Sequence, residues 1–583
     1  MNANPRARER HSFRIEANAT NALLLLGLVL SFVLASAIMS GWKGALIPNL
    51  DHPFVYAGDA LSHLWLAQRA SEGWIFANSR SGFPFGSSFL DYPGSDSGNL
   101  LILKLLGRLL GNYYSAANLY FLLSFPATFA ATFVVCKKLD LRNDSSFACA
   151  LLFTLLPFHF ARLLMGHLFY TWYFAVPIYF YIGYRCFRLQ PLASSRAGLV
   201  GVALLLVALS SFGVYFAFFG LILLALFALM GVAAHRTLAV LKAPLAAGAV
   251  ITLGVGLNVL PNVIYTWKNG VNLEVAQRMP VETEIYALKL THLVMPHLQH
   301  RLNFLGDFAA QYATAFPLSN TVSYVGIVGL AGLFIVLFHA IQMAAGQRVE
   351  PTQRVITVLT LLILLVATVG GFNVFFALLV SPTIRAWDRM GVFVGFFVLL
   401  AAFVKLDRLL SARQVSTRPA VLLVGLVIVV GVWDQTARFG ENEALSGRAR
   451  FESDKEFVGR IEALMPRGAS ILQIPYISFP ESPPVHRMHS YDQLVGFLNS
   501  KELRWSGGGM AGRKGDKFYR QLSAAPISVQ IETARALGFA GVYVDKRGYA
   551  DGGVEVIDSL TRLLNKPATL VRSDGEVVFF SLV

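Results

Sequence analysis

The stretch 21-NALLLLGLVLSFVLASAIMS-40 runs for twenty residues without a charged side chain. About 20 apolar residues in a helix cross the roughly 30 Å hydrocarbon core of a bilayer. The stretch therefore predicts a membrane span. We expect it to stay in place as an anchor, because the apolar part of a signal peptide is only about 7 to 15 residues long.

The rest of the chain repeats this apolar pattern. Of its 583 residues, 55% are hydrophobic and 14% are charged, whereas about 25% of the residues of soluble proteins are charged. The fold class predicted is a polytopic α-helical membrane protein with about eleven transmembrane helices. The count depends on residues 210–213, where two spans meet with almost no loop. The further spans are predicted at 117–136, 146–160, 170–186, 197–211, 214–232, 244–264, 322–343, 354–371, 390–405 and 419–434.

The loops between these spans alternate between basic and not basic. The chain has 49 Lys and Arg against 34 Asp and Glu, a formal charge of +15. In membrane proteins such an excess gathers in short cytoplasmic loops, so it predicts no nucleic-acid partner. This rule places residues 1–20 in the cytoplasm, and the long loops 41–116 and 265–321 on the opposite side. The basic segments are 1–20, 137–142, 185–196, 236–242, 348–354 and 405–418.

The tail after the last predicted span has ordinary polarity and short β-rich runs, including ILQIPYI (471–477) and EVVFFSLV (576–583). Amphipathic helical stretches separate these runs. The tail therefore predicts a small α/β domain. We divide the chain into the cytoplasmic segment 1–20, a transmembrane domain at 21–434 and an extracytoplasmic domain at 435–583.

The first long loop contains the string GDALSHLWLAQR, from Gly58 to Arg69, with apolar residues at helical spacing. On a helix, Asp59 and His63 stand four positions apart and share a face. A carboxylate and an imidazole together can accept a proton from a hydroxyl or ligate a divalent cation. The alternative is that Asp59 only caps the helix and that His63 lies at the level of the lipid headgroups.

Two further acids follow in the same loop, Asp91 and Asp96, in the turn-rich string DYPGSD. They are candidates for substrate binding. With Asp59 and His63, Asp91 is also a candidate ligand of a divalent cation, Mg²⁺ or Mn²⁺. The alternative is that both acids are solvated turn formers.

The long first loop with its acid (GDALSHLWLAQ, followed by SGFPFGSSFLDYPGSD), the many spans and the C-terminal α/β tail resemble the GT-C superfamily of integral membrane glycosyltransferases. The similarity is greatest to bacterial multi-spanning proteins labelled sugar translocase or phosphoglycerol transferase, whose tails contain strings like RWSGGGMAGRKGD and GFAGVYVDKRGYADGG.

This resemblance implies a bacterial inner-membrane enzyme that uses a polyprenyl-phosphate-linked sugar as donor. The acceptor would be an envelope glycan, a lipid or a protein, and Asp59 would act as the base on the acceptor hydroxyl. Ala60 follows Asp59, so the chain lacks an Asp-x-Asp or Asp-Glu pair there, and the need for a metal stays open.

A lipid phosphate requires cations at the outer face to hold it and to stabilise it as a leaving group. Three strings offer them: HFARLLMGH, MPHLQHR and SPTIRAWDRM. In the third, Arg385 and Arg389 are four positions apart, so both guanidinium groups are expected to face one anion. The alternative is that they reach the headgroups and pair with Asp388. The candidate residues for donor binding are Arg162, His167, His297, His300, Arg301, Arg385 and Arg389.

Two other functions compete with glycosyl transfer. A lipid-linked sugar flippase would carry ionisable groups or broken helices near the bilayer midplane, but most predicted spans here have uncharged interiors. A phosphoglycerol transferase would need a nucleophilic Ser or Thr among metal-binding acids and histidines, and the sequence shows no obvious set of this kind. Glycosyl transfer is therefore the favoured hypothesis.

Overall fold

The structure is a computed structural model, which describes residues 5–42, 49–92, 94–317, 323–437 and 447–583. For residues 5–17 only the backbone is described.

The membrane domain and its loops are helical. From the N-terminus to the end of the last span the helices are α1 (Pro5–Met39), α2 (Asp59–Glu72), α3 (Ser97–Leu110), α4 (Tyr113–Lys138), α5 (Asn143–Thr154), α6 (Pro157–Leu164), α7 (Ala175–Phe187), α8 (Arg196–Leu209), α9 (Val214–His235), α10 (Lys242–Asn269), α11 (Val281–Ile285), α12 (Leu290–Val294), α13 (Asn303–Ala315), α14 (Gly326–Ala344), α15 (Pro351–Ala367), α16 (Asn373–Leu379), α17 (Gly391–Ala412) and α18 (Thr417–Gln435). Short 3₁₀ helices lie at Leu168–Thr171, Leu238–Leu241 and Trp387–Met390.

Eight helical segments of the described chain are long and apolar enough to cross a membrane. They are Asn18–Met39, Tyr113–Lys138, Asn143–Leu164, Val214–His235, Leu238–Asn269, Gly326–Ala344, Trp387–Ala412 and Thr417–Gln435. The prediction of a polytopic helical membrane protein is confirmed. The other three predicted spans correspond to the shorter helices α7, α8 and α15, so the count of eleven crossings is not established.

Two of the spans are almost fully enclosed by the others. One is the α5–α6 segment and the other is α17, which has apolar side chains on all sides of the helix. The α5 helix ends at Thr154, three residues before Pro157, because the ring of a proline disfavours helical geometry in the residue before it. The break at Leu155 and Leu156 turns α6 and the following loop toward the first long loop.

The tail is an α/β domain, as predicted. Its helices are α19 (Arg448–Leu464), α20 (Leu494–Asn499), α21 (Lys514–Ser523), α22 (Ile527–Ala536) and α23 (Val554–Leu564), with a 3₁₀ turn at Lys546–Gly548. Its strands are β1 (Ser470–Ile474), β2 (Arg504–Trp505), β3 (Phe539–Asp545), β4 (Leu570–Val571) and β5 (Val577–Ser581). They form one mixed sheet in the order β2-β1-β3-β5-β4, in which β2, β1 and β3 are parallel and β5 is antiparallel to both its neighbours.

The two faces of this sheet bury different partners. Alternate side chains on a strand point to opposite faces, so Val542 and Val544 pack on α21, α22 and α23, whereas Tyr543 faces the other way. That second face packs on α19, on α20 and on the first long loop, including Trp65 of α2. The first long loop is thus held between the membrane helix α4 and the tail domain.

Candidate active site

Helix α2 begins at Asp59, as the sequence predicted, with Gly58 before it at a φ of +49°. The side chain of Asp59 is about half exposed, at 52%. His63 follows one turn later, but its Nδ1 lies 3.2 Å from the backbone oxygen of Asp59 and not against the carboxylate. Burial lowers the pKa of His63 to about 4, so this imidazole is neutral at neutral pH.

The partner of the Asp59 carboxylate is His167, which the sequence had placed among the donor-binding candidates. Nε2 of His167 lies 3.3 Å from Oδ2 of Asp59. Gly166 makes this approach possible: it has a φ of +78°, and a Cβ there would lie 2.3 Å from the backbone nitrogen of Ala60. The loop after α6 can therefore touch the first turn of α2.

The tautomer of His167 follows from its second neighbour. Nη1 of Arg162 lies 3.5 Å from Nδ1 of His167. Because a guanidinium can only donate, Nδ1 must be the acceptor, and the ring proton is then on Nε2. His167 thus donates to Asp59, which keeps the carboxylate unprotonated and oriented.

The electrostatics of Asp59 favour its ionised form. Burial raises the pKa of Asp59, but the hydrogen bond from His167, with smaller contributions from neighbouring groups that include Arg385, outweighs burial and holds it below the ordinary value of 3.8. Burial lowers the pKa of His167, although Asp59 opposes this shift. At neutral pH the pair therefore consists of a carboxylate and a neutral imidazole.

Arg162 forms a buried ion pair with Asp388. Its Nη2 donates to Oδ2 of Asp388 at 2.7 Å, and the two side chains are 1% and 3% exposed. A continuous line of contacts therefore runs from Asp388 through Arg162 and His167 to Asp59. Two charges this deeply buried stabilise each other only as a pair. The ion pair with Asp388 therefore fixes the position of Arg162.

Arg389 lies between two aromatic rings. Its guanidinium carbon is 3.8 Å from the ring centre of Tyr170 and 4.0 Å from that of Tyr215. The residue is only 9% exposed, yet its Nε and Nη1 have no hydrogen-bond partner among the described residues. A buried cation with unpartnered donors costs free energy unless an anion binds it, so Arg389 is the best anion-binding group of this site.

Arg385 does not share that position. The segment before the 3₁₀ helix Trp387–Met390 is not helical, so Arg385 and Arg389 do not stand one helical turn apart as the sequence suggested. Arg385 is instead paired with Glu282, and its Nη2 lies 3.9 Å from Glu481. Its charge is largely neutralised by these acids.

Glu481 of the tail domain contacts residues of this region that belong to the membrane domain. Both of its carboxylate oxygens accept hydrogen bonds from Nη2 of Arg278, at 2.7 and 2.9 Å, and the hydroxyl of Tyr92 donates to it at 2.8 Å. Glu481 has a φ of +61°, which a residue with a Cβ rarely adopts. Burial raises the pKa of Tyr491 in the same loop, and the nearby charge of Asp59 raises it further.

Asp96 lies close enough to Arg389 to be affected by its charge. Burial raises the pKa of Asp96 to about 6, against the lowering effects of a hydrogen bond from Asn99 and of the charge of Arg389. It borders a cavity of about 60 Å³ whose wall includes five aromatic residues and two amides. The aromatic and amide residues of this wall are Trp74, Phe76, Phe89, Tyr92, Phe169, Asn258 and Asn262.

Asp91 is not brought to Asp59. Its carboxylate, 2% exposed, accepts a hydrogen bond from Nε of Arg513 at 2.8 Å and is thereby tied to the tail domain. Within the described residues, no group of three or more His, Cys, Asp or Glu side chains is arranged to hold a metal ion. The donor set Asp59, His63 and Asp91 therefore does not fit a bridging cation.

The candidates of the MPHLQHR string form a separate cluster. Nε2 of His300 lies 3.3 Å from Oδ1 of Asp434, and Nε of Arg301 donates to the backbone oxygen of Thr436 at 2.7 Å. His297 packs against His300. These contacts tie the loop between α12 and α13 to the end of α18.

Four residues of the site were not singled out from the sequence: Tyr170, Tyr215, Glu282 and Glu481. Tyr170 and Tyr215 lie at the ends of apolar runs, where tyrosine is common in any membrane protein, so nothing in the sequence marks them as partners of Arg389. Asp388 was noted from the sequence as a neighbour of Arg389. An acidic residue inside a membrane span is by itself an indication of a functional site.

The fold matches a solved structure over its whole length. ArnT from Cupriavidus metallidurans in the apo state aligns with 97% of this chain and 98% of its own, with a TM-score of 0.54 and 13% identity. The arabinofuranosyltransferase AftD from Mycobacteria aligns with 90% of this chain (TM-score 0.46, 18% identity), which spans 36% of the length of AftD. The archaeal oligosaccharyltransferase AglB from Archaeoglobus fulgidus aligns with 90% of this chain and 69% of its own, with a TM-score of 0.44 and 11% identity.

No protein-family model matches the sequence, and the comparison with curated proteins gives no match. The fold assignment rests on ArnT, since the other two TM-scores are below 0.5. The alignment with ArnT takes in the long first loop, the membrane helices and the C-terminal sheet. The chain is an integral membrane protein with the GT-C fold.

Proposed function

We propose that this protein is a glycosyltransferase that moves a sugar from a polyprenyl-phosphate carrier to an acceptor hydroxyl at the extracytoplasmic face of a bacterial inner membrane. One observation carries the proposal: the ionised, half-exposed carboxylate of Asp59 lies in the same site as Arg389, a buried cation with unpartnered donors. The GT-C fold supports the reaction class, and the basic loops on the opposite side support the orientation.

The chemistry is a direct displacement. The oxygen of the acceptor hydroxyl attacks the anomeric carbon while its proton passes to Asp59. The bond between the anomeric carbon and the phosphate oxygen breaks, and its electron pair stays on the phosphate, which gains one negative charge. Arg389 is placed to stabilise that charge, and a preorganised cation in a site shielded from water is an effective stabiliser. The configuration at the anomeric carbon inverts.

The other residues have positioning roles in this scheme. His167 orients Asp59, and the buried pair of Arg162 and Asp388 orients His167. We assign the sugar to the cavity beside Asp96, because aromatic faces and amides are suited to the apolar faces and hydroxyls of a sugar ring. His297, His300 and Arg301 have no role in the transfer step.

A deletion strain tests the proposal. We expect one polyprenyl-phosphate-linked sugar to accumulate on the extracytoplasmic leaflet and one envelope decoration to disappear. The wild-type gene and Asp51→Asn, a matched change at an exposed acid of the same loop, should restore the decoration, whereas Asp59→Asn should not, at equal amounts of protein in the membrane. Accumulation on the cytoplasmic leaflet would indicate a flippase and overturn the proposal, as would full complementation by Asp59→Asn.

A further inference from the structure

A groove runs along the membrane-facing side of the bundle, far from the Asp59 site. Its floor is α17 and its walls are α14 and α18. The space measures about 440 Å³ and is lined by apolar side chains except for one lysine, Lys405. No helix described in the structure covers it, and Ile327 and Leu426 on its walls are 49% and 60% exposed.

The groove exists because the two wall helices touch at one end only. There, the backbone N–H of Ile327 donates to Asp434, and a Cβ on Gly326 would lie 2.5 Å from the side chain of Gln435. Further along, α14 packs on α17 instead: a Cβ on Gly332 would lie 1.8 Å from the backbone oxygen of Val398. The wedge between α14 and α18 is therefore left open over the second half of α17.

Lys405 stands at the wide end of this wedge. It lies 14 residues after Gly391, and at 1.5 Å per residue it is about 21 Å along α17 from the start of the helix, where Arg389 and Asp388 belong to the active site. It is also the first residue of the basic segment 405–418, which the Lys and Arg distribution places on the side of the membrane opposite to the Asp59 loop. Lys405 is half-buried and makes no hydrogen bond or ion pair with the residues that the structure describes.

The next basic residue on α17 differs from Lys405 because it has an acidic partner in the protein. Arg408 is paired with Glu350 at 2.7 Å. A basic side chain at the edge of a membrane normally reaches the headgroups, but Lys405 borders a chain-sized apolar space while its charge has no protein counterion. The apolar space is suited to an acyl chain, and the charge of Lys405 is suited to an anionic headgroup. One lipid molecule has both parts.

We propose that this groove is a binding site for a phospholipid with an anionic headgroup, whose acyl chain fills the wedge between α14 and α18 and whose phosphate pairs with Lys405. The ligand comes from the leaflet opposite to the Asp59 site and takes no part in the transfer reaction. The proposal therefore stands independently of the proposed function.

Native mass spectrometry of the purified protein tests it, after exchange into micelles that contain equal amounts of phosphatidylglycerol and phosphatidylcholine. We expect the wild-type protein to retain phosphatidylglycerol preferentially. Lys405→Gln should lower the retained phosphatidylglycerol about five-fold, the effect of one basic residue near a charged lipid surface. Arg418→Gln, a change at an exposed basic residue on the same side, should leave retention unchanged.

A second variant tests the shape of the groove. Ala331→Phe fills the wedge from an exposed position on α14, so it should lower the retention of both lipids while Lys405 is intact. Equal retention of phosphatidylglycerol by the wild type, Lys405→Gln and Ala331→Phe would overturn the proposal. A dimer in the native spectrum that Ala331→Phe converts to monomer would also overturn it, because a second copy would then be the occupant.

Discussion

Arg162 donates from Nη1 to Nδ1 of His167 over 3.5 Å, and this contact decides which nitrogen of the imidazole faces Asp59. The ring proton is left on Nε2, so the carboxylate receives a hydrogen bond and stays ionised. A base that accepts a proton from a hydroxyl needs both features. Turnover is to be measured with the lipid-linked sugar that the deletion strain accumulates.

His167 sets the ionisation of Asp59, so its removal should move the pH profile. The His167 contact lowers the pKa of Asp59; in His167→Ala that pKa rises, and the acid limb of kcat/KM shifts to higher pH. We expect kcat at neutral pH to fall about 10- to 100-fold with little change in the donor KM. A variant that loses rate without moving the acid limb would show that His167 has only a packing role.

Arg389 and Arg385 should differ in their effects on the donor. Arg389 has free donors and Arg385 is already paired with Glu282. Replacing Arg389 by Gln removes charged hydrogen bonds worth about 1.5 to 3 kcal/mol, so kcat/KM for the donor should fall about 10- to 100-fold. Arg385→Gln, the matched control, should cost less than ten-fold. Donor kinetics of the two variants side by side decide the assignment, and equal losses would contradict it.

Asp96 should make donor binding depend on pH near 6. Its pKa is raised to about 6, so it is ionised above that pH and its negative charge weakens the attraction of Arg389 for a phosphate. Below pH 6 it is neutral, and the donor KM should fall about two- to five-fold, as expected for one partly screened charge. Asp96→Asn should show the lower KM at every pH. A donor KM that changes identically in wild type and Asp96→Asn would exclude this residue.

The pair of Arg162 and Asp388 should matter for stability and for rate in separable ways. Asp388→Asn leaves a buried guanidinium uncompensated, which costs about 3 to 5 kcal/mol, and thermal unfolding in detergent should detect the loss. The double change Arg162→Met with Asp388→Leu removes both charges and should recover most of the stability. Turnover should stay low in both variants, because Arg162 is no longer held in place in Asp388→Asn and His167 has lost its donor in the double variant. Recovery of turnover in the double variant would contradict the positioning role.

Chelation should leave turnover unchanged. Asp91, the third ligand that the sequence offered for a cation, is paired with Arg513. Assays with and without EDTA, followed by the return of Mg²⁺ or Mn²⁺, measure the requirement directly. A loss of activity with EDTA that either ion restores would show that substrate and Asp59 complete a metal site between them.

The sequence determined the architecture of this protein. Uninterrupted apolar runs such as 21–40 have few ways to satisfy their backbone groups in a bilayer except as helices, and the polarity of the tail required an α/β domain outside the bilayer. It also determined the start of α2 at Asp59, because an acid after a glycine and apolar residues at helical spacing are local signals. Asp59, Arg162, His167 and Arg389 were all among its candidates.

Tertiary structure alone decided which of those candidates meet. His167 reaches Asp59 only because Gly166 lets two backbones touch, and Arg389 is kept free by Tyr170 and Tyr215, which are distant from it in the chain. Asp91 and His300 were equally plausible by residue type, yet they pair with Arg513 and Asp434. Residue type and spacing fix what a side chain can do; the packing of helices far apart in sequence fixes which charges are already neutralised and which remain free for a substrate.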